Sequence, residues 1–179
     1  LQLVARRKKG IPLAYVLGEK EFWSMRFKVA PGVLIPRPET ELLVEKVIEF
    51  SSKGKELIAD IGTGAGNISV SLAKELPRAS ILATDVSPQA LEQAKHNAHM
   101  HKISTIAFEK GSLFAPLGKL GLQKQCDFIV SNPPYVSENE WQSLPEDIRN
   151  HEPKGALVAG ESGFEILEKL ILQAPGYLR

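Results

Sequence analysis

Apolar positions along this chain recur with two different periods. Short runs of Ile, Val, Leu and Ala, bounded by Gly, Pro, Asp or Asn, alternate with longer stretches where apolar residues return every three or four positions. The first pattern reads as buried strands and the second as amphipathic helices. Residues 1–9 read as the tail of a helix. FWSMRFKVAPGVLIP (22–36) is rich in aromatic and β-branched residues around a Pro-Gly turn, so it reads as a β-hairpin. Helical spacing follows in TELLVEKVIEF (40–50), with Pro38 near its first turn. KELIADIG (55–62) is a short strand ending in glycines, NISVSLAKEL (67–76) a helix closed by Pro77, and SILATD (80–85) a second strand. Ser87-Pro88 supplies an N-cap and a first-turn proline for a helix over QALEQAKHNAHMH (89–101). TIAFEKG (105–111) and CDFIVSN (126–132) are further strands, 137–150 is loop-like or short-helical, and FEILEKLILQA (164–174) is a last helix.

Strands alternating with helices at this pitch predict an α/β fold: a Rossmann-like, mostly parallel sheet with helices on both faces, preceded by the hairpin. The 179 residues are enough for one sizeable core. No apolar run approaches the ~20 residues of a membrane span. The single Cys126 lies in an apolar strand run, which excludes a disulfide framework and fits a reducing, cytoplasmic setting. With 22 basic and 21 acidic residues the net charge is +1, less basic than a dedicated nucleic-acid binder. Arg6-Arg7-Lys8-Lys9 is the one dense basic run and reads as a solvated helix end.

In an open parallel sheet, ligands bind beyond the carboxyl ends of the strands. Three strand ends here carry unusual residues. The first is Asp60-Ile61-Gly62-Thr63-Gly64-Ala65-Gly66-Asn67. Its alternate glycines allow a tight turn and close approach of a ligand, and the following helix presents free N–H groups. It is not a dinucleotide fingerprint, because Asn67 stands where the last glycine belongs, and no Lys-Ser/Thr follows as a Walker loop requires. The second is Asp85, 19 residues past Gly66, where a carboxylate can accept two ribose hydroxyls. Its bland alternative is to cap the helix that begins near Ser87. The third is SNPPYV (131–136). Proline cannot continue a central strand, so the carbonyls of Asn132 and Pro133 need other donors. The Asn132 side-chain carbonyl and the Pro133 backbone carbonyl can accept both hydrogens of an –NH2 group, and Tyr135 can cover its planar face. That is catalysis by positioning.

These strand ends together resemble the class I S-adenosylmethionine-dependent methyltransferases that act on a planar amino nitrogen. The flanks are similar to one group of them. GIPLAYVLGEKEFWSMRFKVAPGVLIPRPETELLVE (10–45), with its LIPRPETE box (34–41), and EPKGALVAGESGFEIL (152–167) resemble the HemK/PrmC family of release-factor glutamine methyltransferases. The resemblance covers nearly the whole chain. It implies methyl transfer to the side-chain amide nitrogen of the glutamine in the Gly-Gly-Gln motif of class I peptide chain release factors. S-adenosyl-L-methionine is the implied cofactor and S-adenosyl-L-homocysteine its product. Asp60, Gly62, Thr63, Gly64, Ala65 and Gly66 are implied to cradle it, with Asp85 on the ribose, Ser112 and Leu113 near the adenine, and Asn132 also touching it. Asn132, Pro133, Pro134 and Tyr135 are implied to hold the glutamine amide, with Arg37 and Glu39 bracing the site or the substrate peptide. Ser112 departs from the family, which usually carries an Asp there, and a hydroxyl holds an amino group more weakly than a carboxylate.

The resemblance also divides the chain. Residues 1–36 are expected to be the end of a helical region plus a hairpin linker, and 37–179 an incomplete methyltransferase domain. The chain opens at Leu1 and stops at Arg179 after APGYLR, so it is expected to be a piece of something longer. The family pattern places a helical domain before it and three strands after it. Four strands alone would leave an unpaired apolar sheet edge.

Other residues offer less. His96 and His99 share a helix face near His101, but no third ligand is in view, so no metal is expected. His151 lies past the aromatic motif without a stated role. Trp23 reads as hairpin packing and Trp141 as a lining of the substrate entrance. Two other functions stay open: a methyltransferase of exocyclic amino groups in DNA or ribosomal RNA, which would have to extrude its base, and a cofactor-binding scaffold without activity. Charge and the IPRPETE segment argue against the first, and the intact Asn132–Tyr135 turn against the second.

Overall fold

The computed structural model describes residues 2–52 and 54–179. The opening helix is α1 (Gln2–Lys8), and the Leu1 end of the predicted helix lies outside the described residues. It leads into a short α2 (Leu13–Leu17) and the antiparallel pair β1 (Glu19–Phe22) and β2 (Met25–Lys28). The hairpin therefore sits earlier than expected. Its turn is Trp23-Ser24, both residues left-handed at φ 52° and 53°, rather than Pro31-Gly32. Two left-handed residues match the twist of paired strands. Pro31 and Gly32 instead turn a loop beyond the hairpin. Phe22, Met25 and Phe27 on the hairpin's inner face bury into the main core beside Val44 and Val47 of α3 (Glu41–Phe50).

The chain then alternates as predicted: β3 (Leu57–Ile61), α4 (Asn67–Glu75), β4 (Ser80–Asp85), α5 (Pro88–Met100), β5 (Ile106–Lys110), α6 (Ala115–Lys119) and β6 (Phe128–Val130). After it come β7 (Val136–Ser137), α7 (Glu138–Trp141), α8 (Glu146–His151), β8 (Val158–Gly160) and α9 (Glu165–Gln173). Among the described residues the central sheet has four strands, all parallel, in the order β5-β4-β3-β6. Side-chain alternation along β3 and β4 buries both faces. Ile58 and Ile81 join the α3–α4 side, whereas Ala59, Ile61 and Leu82 join Phe114, Leu117 and Leu170 on the other. The β6 edge is not bare at its start, because Leu178 bridges Cys126 in parallel there.

Two features of this topology place the site. The register aligns Asp60 with Ala83 and Val130, so β3, β4 and β6 end on one edge of the sheet. The strand order reverses between β3 and β6. That switch point leaves a crevice between the loops that leave those two strands. The short parallel pair β7–β8, not foreseen in the sequence, then anchors the exit from β6: the N–H groups of Tyr135 and Val136 both donate to the Leu157 carbonyl, at 3.1 and 2.9 Å.

Candidate functional site

A cleft of about 330 Å³ opens at this switch point, within the size range of small-molecule sites. Its floor is the glycine turn after β3. The N–H groups of Gly62 and Thr63 both donate to the Thr84 carbonyl at 2.8 Å, which folds the loop over the top of β4. Gly62, Gly64 and Gly66 all have positive φ, but they differ in surroundings. A Cβ at Gly62 or Gly64 would meet open space, and both residues line the cleft. A Cβ at Gly66 would lie 2.9 Å from Ala94 Cβ, so Gly66 serves the packing of α4 against α5. Ala65 and Thr63 are likewise buried and off the wall.

Asp60 lies beneath this loop and is fully buried. Its Oδ2 accepts from Thr63 Oγ1 at 2.7 Å and from Ser69 Oγ at 2.5 Å, tying the loop to the first turn of α4. Its Oδ1 is buried and has no hydrogen-bond partner among the described residues. Burial pushes the Asp60 carboxyl up to about 6 against the pull of the Ser69 and Thr63 hydroxyls. Asn97, fully buried on α5, adds a second staple: its Nδ2 donates to the Ala65 and Lys28 carbonyls and its Oδ1 accepts from the Lys28 N–H.

Asp85 stands at the end of β4 and on the cleft wall. Its Oδ2 accepts the Gly64 N–H at 2.9 Å and its Oδ1 the Ser87 N–H at 2.9 Å. The helix cap is Ser87, whose Oγ accepts the Ala90 N–H, so Asp85 bonds the residue before the helix and the glycine loop rather than capping α5 itself. Each oxygen keeps a further lone pair. The neighbouring wall is apolar: Val33 and Leu34 from the loop after the hairpin, Val86, Leu113, and Ile166 and Leu170 of α9. Tyr15, buried on α2, holds this loop by donating its hydroxyl to the Val33 carbonyl at 2.6 Å. Burial, then the nearby Glu152 carboxylate, pushes that phenol well above its ordinary value.

The turn after β6 also lines the cleft, with Ser131, Asn132, Pro133 and Pro134 on it. Ser131 Oγ donates to the Ile61 carbonyl at 2.6 Å, binding the two strand ends together. Asn132 Nδ2 donates to Thr40 Oγ1 at 3.1 Å. Tyr135 is 63% exposed and lies just outside the lining.

Of the residues singled out in the sequence, Gly62, Gly64, Asp85, Ser112, Leu113, Asn132, Pro133 and Pro134 share this cleft. Asp60, Thr63, Ala65 and Gly66 support it from below. Arg37 does not face it: its Nη2 donates to Glu152 Oε1 at 2.7 Å, while Glu39 is exposed. Trp141, expected at an entrance, is buried, with the Lys154 ammonium 5.9 Å from its ring centroid. Trp23 packs on the core as expected and donates Nε1 to Glu75. Sequence reasoning missed Thr40, Glu152 and the apolar wall. The quoted LIPRPETE and EPKGAL segments contained the first two, but nothing in either marked its contact across more than 90 residues. Among the described residues no group of three or more His, Cys, Asp or Glu is placed to hold a metal ion, and no helix is long and apolar enough to cross a membrane.

The chain is 42% identical over 97% of its length to a release factor glutamine methyltransferase from Aquifex aeolicus, and 44% identical over 99% to one from Nitratidesulfovibrio vulgaris. It spans 60% of the length of each of these relatives. Among solved structures, the hMettl16 catalytic domain in complex with MAT2A 3′UTR hairpin 6 superposes with a TM-score of 0.64 at 24% identity. That match covers 86% of this chain and 58% of the other and speaks for the fold alone. Residues 37–154, which hold the glycine turn, Asp85 and the Asn132–Tyr135 turn, match the methyltransferase small domain model, and the chain belongs to that family.

Proposed function

We propose that the protein transfers a methyl group to the side-chain amide nitrogen of the glutamine in the Gly-Gly-Gln motif of class I peptide chain release factors. The observation that supports this reading is that the Asn132-Pro133 acceptor turn and the Gly62, Gly64 and Asp85 cradle line one cleft. The names and 42–44% identity of the relatives support the substrate. S-adenosyl-L-methionine fits the cradle: two glycines without a Cβ on the floor, a carboxylate oriented by two backbone N–H groups, and an apolar wall for a flat ring. When bound, it supplies an electrophilic methyl group. Asp85 would take the ribose hydroxyls, and Val86, Leu113 and Ser112 would hold the adenine.

The protein's own work is orientation. An amide nitrogen is a poor nucleophile because its lone pair is shared with the carbonyl. Asn132 Oδ1 and the Pro133 carbonyl accept both N–H hydrogens, strip water from the nitrogen and turn its π face toward the methyl donor. The two prolines keep the Pro133 carbonyl in place without competing donors of their own. The N–C bond would form as the donor's C–S bond breaks, with S-adenosyl-L-homocysteine leaving, and the nitrogen would then shed one hydrogen as a proton to solvent, so no general base is needed before attack. Tyr135, at 63% exposure, is free to close on the planar amide. Residues 37–179 are taken as the methyltransferase domain, with 1–36 as the segment leading into it, working in the cytoplasm.

Labelled S-adenosylmethionine, offered with an unmodified class I release factor, tests this. The expected result is label on the factor, lost when its Gly-Gly-Gln glutamine is changed and lost with Asn132→Ala, while cofactor affinity stays within about threefold. Label on ribosomal RNA or DNA controls, and none on the factor, overturns the substrate reading.

A further inference from the structure

The structure assigns Thr40 as the residue that holds the Asn132 amide in place at the cleft, an inference that rests on the acceptor role proposed for Asn132. An asparagine amide is nearly symmetric in shape but not in chemistry: the oxygen accepts and the nitrogen donates. The Asn132 nitrogen is held on Thr40 Oγ1 at 3.1 Å, which leaves Oδ1 as the end available to a donor. Asn132 lines the cleft and Thr40 does not; Thr40 is 6% exposed and reaches Asn132 from behind.

Thr40 is itself delivered by a braced arm. Glu152, whose side chain is 1% exposed, accepts from Arg37 Nη2 at 2.7 Å and from the Ile35 N–H at 3.1 Å. Pro36 and Pro38 flank Arg37 and fix φ on either side of it. The Thr40 N–H then closes a tight turn onto the Arg37 carbonyl at 3.1 Å, just before α3 begins at Glu41. Val44 and Val47 seat that helix in the core. Arg37 thus braces the turn that carries Thr40.

Thr40→Val keeps the shape and removes the hydroxyl, and Thr40→Ser keeps the hydroxyl and removes the methyl. In the whole protein, Thr40→Val should lower kcat for release-factor methylation about tenfold, equal to about 1.4 kcal/mol, with the cofactor Kd within about twofold. Thr40→Ser should recover kcat to within about twofold. Unchanged kcat in Thr40→Val, or an equal loss in both variants, overturns the proposal. A second readout does not depend on turnover: the Asn132 side-chain NH2 resonances, assigned through Asn132→Asp. Thr40→Val should move them toward free-amide values and speed their exchange with water; unmoved signals overturn the role of Thr40. Full activity in Asn132→Ala would instead remove the acceptor role proposed for Asn132, while the NMR signals still decide what Thr40 does.

Discussion

Asp60 gives the protein a pH dependence that runs against the usual carboxylate trend. The group is fully buried, and burial raises its carboxyl from 3.8 to about 6. Between these values the folded protein binds more protons at this site than the unfolded chain does. Stability therefore falls as pH rises through that window, and is flat above and below it. A rise from 3.8 to about 6 corresponds to about 3 kcal/mol over the whole window. About 2 kcal/mol of that falls between pH 4.5 and 7.5. Asp60→Asn preserves the shape and an acceptor for Thr63 and Ser69, and it cannot ionise. Urea denaturation of both proteins at half-unit pH steps isolates the effect. The Glu140 and Glu165 carboxyls, held low by the backbone and hydroxyl groups of Ser137 and Ser162, are common to both proteins and cancel in the difference. The variant should gain about 2 kcal/mol on the wild type between pH 4.5 and 7.5, whatever constant offset separates them. Parallel profiles, with a difference constant to about 0.5 kcal/mol, would refute the claim that an ionisable carboxylate is held in a dry site under the glycine turn.

The other predictions concern the walls of the cleft. Asp85→Ala removes both the expected ribose partner and the acceptor that holds the Gly64 N–H. Titration calorimetry should show cofactor affinity about 30- to 100-fold weaker, with kcat at saturating cofactor within about threefold. Glu152→Gln keeps an acceptor for the Ile35 N–H but removes the charge facing Arg37, and should lower stability by about 1–2 kcal/mol. Glu152→Ala also strands that N–H and should lose about 3 kcal/mol. The Arg37 side chain is 28% exposed and rehydrates in part, which keeps the loss at the low end of the range for breaking a buried pair. Urea midpoints measure both.

The strands and helices of the central layer were legible because each has a strong local signature. SILATD became β4 at the same boundaries, and Ser87 caps α5 by accepting the Ala90 N–H, with Pro88 in the first turn. The hairpin was misplaced because Pro-Gly is the stronger local turn signal, while Trp23-Ser24 adopts left-handed φ only when paired strands enforce it. The strands β7 and β8 were not legible, being two and three residues long and held by pairing with each other across the chain. The Asn132-Pro133-Pro134-Tyr135 turn stood out because prolines at a strand end are a chemical anomaly that can be seen residue by residue.

What the sequence determined by itself was the α/β alternation, the glycine turn, the acid after the second strand and the acceptor turn after the fourth, since each depends on neighbours within a few residues. What only the tertiary structure decided was which of these face a ligand. Gly62 and Gly64 open on the cleft while Gly66 packs on Ala94, Asp60 sits under the floor rather than on it, and Arg37 turns to Glu152. Those outcomes depend on which strands end side by side and on pairs such as Thr40 with Asn132, 92 residues apart, and a contact between distant residues leaves no period or spacing along the chain to read.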